Sequence, residues 1–332
     1  MNIKSKLAIL GLLVIIISLA GCMGTAKTCP VVVSQTEGVK MQRIEPSYFT
    51  VPVGDKINVY MDVQNRGNAP ATEVSATLWA YTGFGLTKGQ TKTIESKLLE
   101  PPRLDICSEG DVETFTWELR AGCDPVETIL AVSLDYNYTS YGFAKIPLAS
   151  RAEYERTQGE LSAKGENFPS AGPLKIEIES IQMEPVLLGK HTSNFSARIL
   201  FNNVGSGLVG PKGVGEVGNV KVMLSGPCKF DDSRNYATNS GKPTGAVPII
   251  GSNDKGMEWP DGNVLLKSGK QEIMKIAYLK YDGDPSSFIE DICRVEVTAT
   301  YRYNNVVSPS KRMGVYGSPS QISNCIDGDW DI

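Results

Sequence analysis

Seven cysteines carry most of the reactive chemistry in this 332-residue chain. Thiols ligate metals, attack carbonyls or pair into disulfides, and their spacing and neighbours separate these roles. No C-x-x-C occurs and His191 is the only histidine, so a zinc site lacks its usual donors. A Ser-His-Asp or Cys-His unit would have to use His191, which sits in a Gly-Lys-His-Thr-Ser stretch with no nucleophile motif beside it. It reads as a solvated loop residue. No pair of carboxylates stands out for acid–base work, and no catalytic residue is assigned. Gly205-Ser-Gly207-Leu-Val-Gly210 and Gly213-Val-Gly215-Glu-Val-Gly218 each spell a dinucleotide fingerprint. That chemistry needs a helix to start at the pyrophosphate. Here Pro211 intervenes and a strand is expected at 219–224, so both read as one long glycine loop and no cofactor is expected. Asp327, Asp329 and Asp331 alternate as calcium loops do, but without glycine at the sixth place. They read as a solvated acidic tail, and no metal is expected.

The first residues set the compartment. Lys4 and Lys6 lead into an apolar run at 7–17, followed by Leu19-Ala20-Gly21-Cys22. Charged head, apolar middle and small residues are the order of a secretory signal. The cysteine directly after the small residues resembles the lipobox of surface lipoproteins. That resemblance implies that the signal is removed and Cys22 becomes the lipidated first residue. The alternatives are an uncleaved anchor, though a span needs about 20 apolar residues, and an ordinary cleaved signal. Lipidation or an anchor both leave the remaining chain extracytoplasmic and held to the cell membrane. In such a compartment the six other cysteines, Cys29, Cys107, Cys123, Cys228, Cys293 and Cys325, read as disulfides, with free buried thiols as the alternative.

Composition narrows the fold. Net charge is −4 with no basic patch, which argues against nucleic acid as a partner. There are 33 Gly and 19 Pro among many Val, Ile, Thr and Tyr, a mix that favours short strands joined by turns. About 310 residues after the signal exceed one ordinary core. A long-period repeat accounts for the length. Ile44-Glu45-Pro46 begins one copy and Met183-Glu184-Pro185 the next. Ile57, Val59, Met61 and Val63 alternate in the first, as Phe195, Ala197, Ile199 and Phe201 do in the second. These runs end at Asn65-Arg66-Gly67 and Asn203-Val204-Gly205, where a tight hairpin would use the positive φ that Asn and Gly adopt readily. Strands at 113–119 and 272–279 correspond, and Tyr136 and Tyr138 match Tyr301 and Tyr303. Period-2 alternation over several short segments predicts two tandem antiparallel β-sandwiches, an all-β chain.

Val53-Gly54-Asp55-Lys56 running to Asn65-Arg66-Gly67-Asn68-Ala69 resembles the CARDB-type domains of archaeal and bacterial surface proteins, which are immunoglobulin-like. The second copy matches more weakly, with Leu188-Gly189-Lys190 at the opening. The resemblance implies an immunoglobulin-like fold and a role in adhesion or scaffolding without catalysis. The paired tyrosines also resemble archaeal members. The expected organisation is signal and lipobox at 1–22, tether at 23–39, sandwich one at 40–148, helical or flexible spacer at 149–172, sandwich two at 173–317 and acidic tail at 318–332.

Chain direction restricts the cysteines. Cys228 follows the second copy's third strand and Cys293 opens its sixth, at one end of the sandwich, so they are expected to pair. Cys107 and Cys123 flank a strand about 24 Å long at ~3.4 Å per residue, whereas a disulfide needs Cα atoms within ~7 Å. The flanking residues could fold back, and Cys29, Cys107, Cys123 and Cys325 stay unassigned. Asn137 and Asn194 head glycosylation sequons. The insertion at 226–265 carries Tyr236, Ile249, Ile250 and Trp259, which would either anchor a partner or cap the sandwich edge. The function read from sequence is a non-catalytic binding or scaffold protein of the envelope, its partner another envelope protein or a surface glycan. The alternative is a solute- or glycan-binding receptor serving a transporter, which requires a concave pocket.

Overall fold

The computed structural model describes residues 29–326 except 80, 88, 95–97, 163, 182–184, 190–192, 211–214, 236–237, 240–241, 244–245, 250–251, 261–263, 268–271, 284–288 and 308–311. The chain is all-β, its sheets almost wholly antiparallel. In the first copy, Lys56–Asn65 alternates as expected and buries Ile57, Val59, Met61 and Val63. It pairs on one side with Val39–Pro46 and on the other with Val112–Ala121, which in turn pairs with Phe84–Leu86. Trp117 is fully buried between the layers, and its indole N–H donates to the Gln90 carbonyl at 2.8 Å. The second copy builds the same layer from Leu174–Ser180, Asn194–Asn203, Ile273–Tyr281 and Cys228–Phe230.

The opposing layers of the two copies are one sheet. Val132–Ser150 and Glu290–Val307 pair antiparallel from Val132↔Val307 to Ala149↔Glu290. Thr72–Leu78 and Thr91–Thr93 continue the sheet on the first copy's side. Val220–Ser225, Gly256–Trp259 and Val247–Pro248 continue it on the second's. Each long strand has two faces to satisfy, and only one fronts a core. On Val132–Ser150 the inward positions are Leu134, Tyr136, Tyr138, Ser140, Gly142, Ala144, Ile146 and Leu148. Gly142 is small because a Cβ there would lie 2.9 Å from the Ile176 carbonyl of the other copy's layer.

The segment expected as a spacer is built into this body. Ser150 caps the short helix Arg151–Arg156 by accepting the Glu153 N–H at 3.2 Å. Glu166–Phe168 then returns to pair with Phe143, Ala144 and Lys145. A third sheet brings Arg312–Tyr316 back to the first copy, parallel to Thr50–Pro52 and antiparallel to Val126–Ile129. Pro319–Ile326, within the segment expected as an acidic tail, is helical.

Cys228 and Cys293 form a disulfide with Cα atoms 5.7 Å apart. It joins the second copy's own layer to the shared sheet, as chain direction led us to expect.

Candidate functional site

Four tyrosines lock the seam between the copies. Tyr136 lies opposite Tyr303, and Tyr138 opposite Tyr301, with Asn137 opposite Arg302 between them. Since Tyr136 corresponds to Tyr301 and Tyr138 to Tyr303, a local two-fold relates the copies about Asn137 and Arg302. The hydrogen bonds obey it. Tyr138 Oη accepts the Ala69 N–H at 3.0 Å, and Tyr303 Oη accepts the Gly207 N–H at 2.6 Å. Tyr301 Oη accepts the Leu174 N–H at 3.1 Å and meets Ser140 Oγ at 3.0 Å. Tyr136 is bonded in the same way to the backbone of Val39, so each inner tyrosine holds the start of a copy's first strand. Burial raises all four hydroxyls, Tyr303 to about 12. They stay neutral and serve as structural donors and acceptors, not as acids or bases.

The same tyrosines explain the Asn-x-Gly turns. Asn65 Nδ2 donates to the Ala69 carbonyl at 2.9 Å, while its Oδ1 accepts the Gly67 N–H at 3.1 Å. Asn203 repeats this with the Gly207 carbonyl at 2.9 Å and the Gly205 N–H at 3.2 Å. The expectation of a hairpin with positive φ is corrected, since the flanking strands lie in different sheets and neither glycine has positive φ. Glycine is required by close approach. A Cβ on Gly67 would lie 1.9 Å from Tyr138 Oη, and one on Gly205 would lie 2.2 Å from Tyr303 Oη.

Among the sites expected from sequence, Cys22, His191, Tyr236, Ile250 and Asp327, Asp329 and Asp331 lie outside the described residues. Of the two courses expected for the insertion, Trp259 takes the edge-capping one. It is buried in the strand Gly256–Trp259, opposite Val220. That portion of the insertion extends the shared sheet and covers its edge. Ile249 is half-buried beside it, with its N–H bonded to the Gly256 carbonyl. Asn235 caps another edge: its side chain donates to the Tyr278 carbonyl at 2.6 Å and accepts the Tyr278 N–H at 3.0 Å. Asn194 is exposed at the start of a strand, whereas Asn137 is half-buried with its Nδ2 donating to Glu73 at 2.9 Å. Gly207, in the first glycine fingerprint, gives its N–H to Tyr303, and the two-residue strand Leu208–Val209 follows where a nucleotide site needs a helix. Among the described residues, no group of three His, Cys, Asp or Glu is placed to hold a metal ion, and no helix is long and apolar enough to cross a membrane.

Sequence reasoning missed the outer face of the shared sheet. Residues of opposite parity to the tyrosine lock point away from the core. There Tyr141 is 40% exposed and Phe168 is 44% exposed. Phe143 stacks on Phe168 with centroids 4.4 Å apart, and the Arg294 guanidinium lies 4.4 Å from the Phe143 centroid. Arg294 Nη2 donates to Tyr141 Oη at 3.2 Å, and Glu296 and the Lys145–Glu166 pair border the patch. Alternation continued past Tyr138 through Tyr141 and Phe143 was the available signal. Nearby, Pro147, Leu161, Lys164 and Pro185 border a groove of about 620 Å³.

No family model matches the chain, and no curated protein matches it. Solved structures give distant likenesses. One is the Yersinia pseudotuberculosis adhesin InvE, at 10% identity over 82% of this chain and 57% of that one, TM-score 0.19. Another is red sea bream transglutaminase, at 9% identity over 83% and 31%, TM-score 0.18. The collagen adhesin of S. aureus is 9% identical over 87% and 95%, TM-score 0.15. The chain thus spans just over half of the first and under a third of the second. Likeness at these scores carries no argument about fold or function, and the architecture rests on the sheets described above.

Proposed function

We propose that this chain is a membrane-anchored, extracytoplasmic binding or scaffold protein of the cell envelope, presenting the outer face of its shared sheet to another envelope protein or a surface glycan. One observation carries the reading: the strip of exposed Tyr141 and Phe168 with half-buried Phe143 and Arg294, on a face whose other side is locked by buried tyrosines. Aromatic rings and arginine on a rigid sheet bind with little loss of side-chain freedom. The two copies, 40–148 and 173–317, act as one body in this reading, because the sheet runs through both. Anchoring rests on the signal-like residues before Cys22, and the CARDB-type resemblance rests on the Val53-Gly54-Asp55 and Asn65-x-Gly67 motifs.

The test is a cross-linking pull-down from intact cells, comparing wild type with Tyr141→Ala plus Phe168→Ala. Loss of a specific envelope protein or glycan with the double variant supports the reading. An unchanged partner moves recognition elsewhere. The groove beside Leu161 and Lys164 favours the second reading, a receptor for a solute or glycan serving a transporter. Substitution of Leu161 and Lys164 would then abolish binding of a small ligand that the sheet-face variant still takes up.

A further inference from the structure

Cys29 and Cys107 are the free cysteines among the described residues. Cys228 is bonded to Cys293, and Cys123 is also disulfide-bonded. Cys107 ends the turn Leu104-Asp105-Ile106-Cys107, closed by paired backbone hydrogen bonds of 2.8 and 3.0 Å between Arg103 and Ser108. Its φ is +53°, a left-handed conformation that a non-glycine residue seldom adopts, and its side chain is exposed. The residues after Cys29, Pro30 to Val32, line a cleft of about 260 Å³ with Pro102, Glu109 and Gly110, at the base of the same turn. Ser34 then fixes that segment by donating its N–H to the Arg66 carbonyl at 2.7 Å. The two side chains meet: a hydrogen-bonding contact with Cys29, with lesser contributions from desolvation and from Cys29 and Asp105 as neighbouring charges, holds the Cys107 thiol above its ordinary value.

We propose that Cys29 and Cys107 form a redox site, closing to a disulfide that fastens the segment entering the first copy to the 103–108 turn. The oxidant is a low-molecular-weight disulfide, represented by oxidised glutathione. One cysteine thiolate attacks a sulfur of the carrier, forming a mixed disulfide and expelling one carrier thiolate. The second cysteine thiolate attacks the protein sulfur of that mixed disulfide, forming the Cys29–Cys107 bond and expelling the other. The two protons given up by the cysteines end on the two carrier thiols, which also hold the two electrons removed from the protein. The bond lies at the surface, so a reductant reaches it before it reaches the wholly buried Cys228–Cys293 bond.

The experiment uses the full chain, treated with oxidised glutathione, alkylated and digested without reduction for peptide mass spectrometry. The expected result is a linked peptide pair joining Cys29 to Cys107, with two fewer alkylated cysteines per chain. Graded reduction should open this pair at a lower reductant concentration than Cys228–Cys293. Cys29→Ser and Cys107→Ser should each leave the remaining partner alkylated or glutathionylated, with an unchanged far-ultraviolet circular dichroism spectrum. Both cysteines staying alkylatable, a stable glutathione adduct on either in the wild type, or linkage of either to another cysteine would overturn the proposal.

Discussion

Tyr138 faces Tyr301 across the seam, with ring centroids 6.2 Å apart. Each belongs to a different copy, and each hydroxyl holds backbone of its own copy: Tyr138 the Ala69 N–H and Tyr301 the Leu174 N–H. The contact that joins the copies is therefore made by the residues that order each copy's own turns and first strands. Separation of the copies would expose rings that are at most 3% accessible. Unfolding is expected to be one cooperative transition, with coincident urea midpoints by tryptophan fluorescence and far-ultraviolet circular dichroism. Two resolved transitions would show that the copies are independent.

Tyr303→Phe removes the acceptor for the buried Gly207 N–H and leaves that donor without its partner. The expected cost is about 1–3 kcal/mol, the range for an unsatisfied buried polar group. Urea denaturation measures it. A change inside the experimental error would mean that water replaces the hydroxyl.

Gly67→Ala should destabilise through a clash and not through backbone strain, because Gly67 is not at positive φ and a Cβ would sit 1.9 Å from Tyr138 Oη. Overpacking of this kind costs about 1–3 kcal/mol. Tyr138→Phe removes the atom that is struck. A double-mutant cycle should then show Gly67→Ala costing less in the Tyr138→Phe background than in the wild type. Additive costs would place the strain elsewhere.

Alkaline pH should weaken the fold. Burial raises Tyr303 to about 12, against about 10 in an unfolded chain. The folded state therefore keeps a proton that the unfolded state has lost. The stabilisation is present in full below pH about 10 and is lost as pH rises through about 12, so stability falls with pH across that window. Tyr136, Tyr138 and Tyr301 shift in the same direction and steepen the fall. Urea midpoints taken from pH 9 upward, as an order-of-magnitude series, should decline, and less steeply in Tyr303→Phe. A flat profile would contradict neutral, buried hydroxyls.

How much of this could be read from residues alone depends on the range of the interactions. Alternation at Ile57 to Val63 and at Phe195 to Phe201 is local, and it was legible. Chain direction sufficed to pair Cys228 with Cys293. The shared sheet was not legible, because its register joins residues as distant as Val132 and Val307 through main-chain hydrogen bonds that no side-chain pattern announces. Matching the copies only as far as Tyr138 and Tyr303 left out the strand's continuation through Ser140, Gly142, Ala144 and Ile146, which are all buried. The same truncation hid the outward Tyr141 and Phe143. For Trp259 the residues left two courses open, partner anchor or edge cap, and only the strand pairing opposite Val220 shows that the insertion supplies an edge strand. The Asn-x-Gly motif was found, but its cause, a tyrosine hydroxyl about 70 residues away in the chain, belongs to tertiary packing.

The outer face yields the prediction closest to function. Tyr141 is exposed, and its side chain meets Arg294 and Phe143 at the surface, so Tyr141→Ala should change stability by no more than about 0.5 kcal/mol. Phe168→Ala gives up a stacked pair with Phe143 and should cost about 1 kcal/mol. Truncating an aromatic anchor at the centre of an interface costs more than 1 kcal/mol of binding, so the double variant should bind the envelope partner at least about tenfold more weakly. Tyr141→Phe keeps the ring and loses only the Arg294 contact, and it should retain most of the affinity. Titrating the captured partner against all four variants separates the causes. Weak binding that tracks Tyr141→Ala while the urea midpoint stays at the wild-type value assigns the face to recognition. Weak binding that appears only with Phe168→Ala, in step with a lowered midpoint, assigns the aromatic strip to holding the strand Glu166–Phe168 against the sheet.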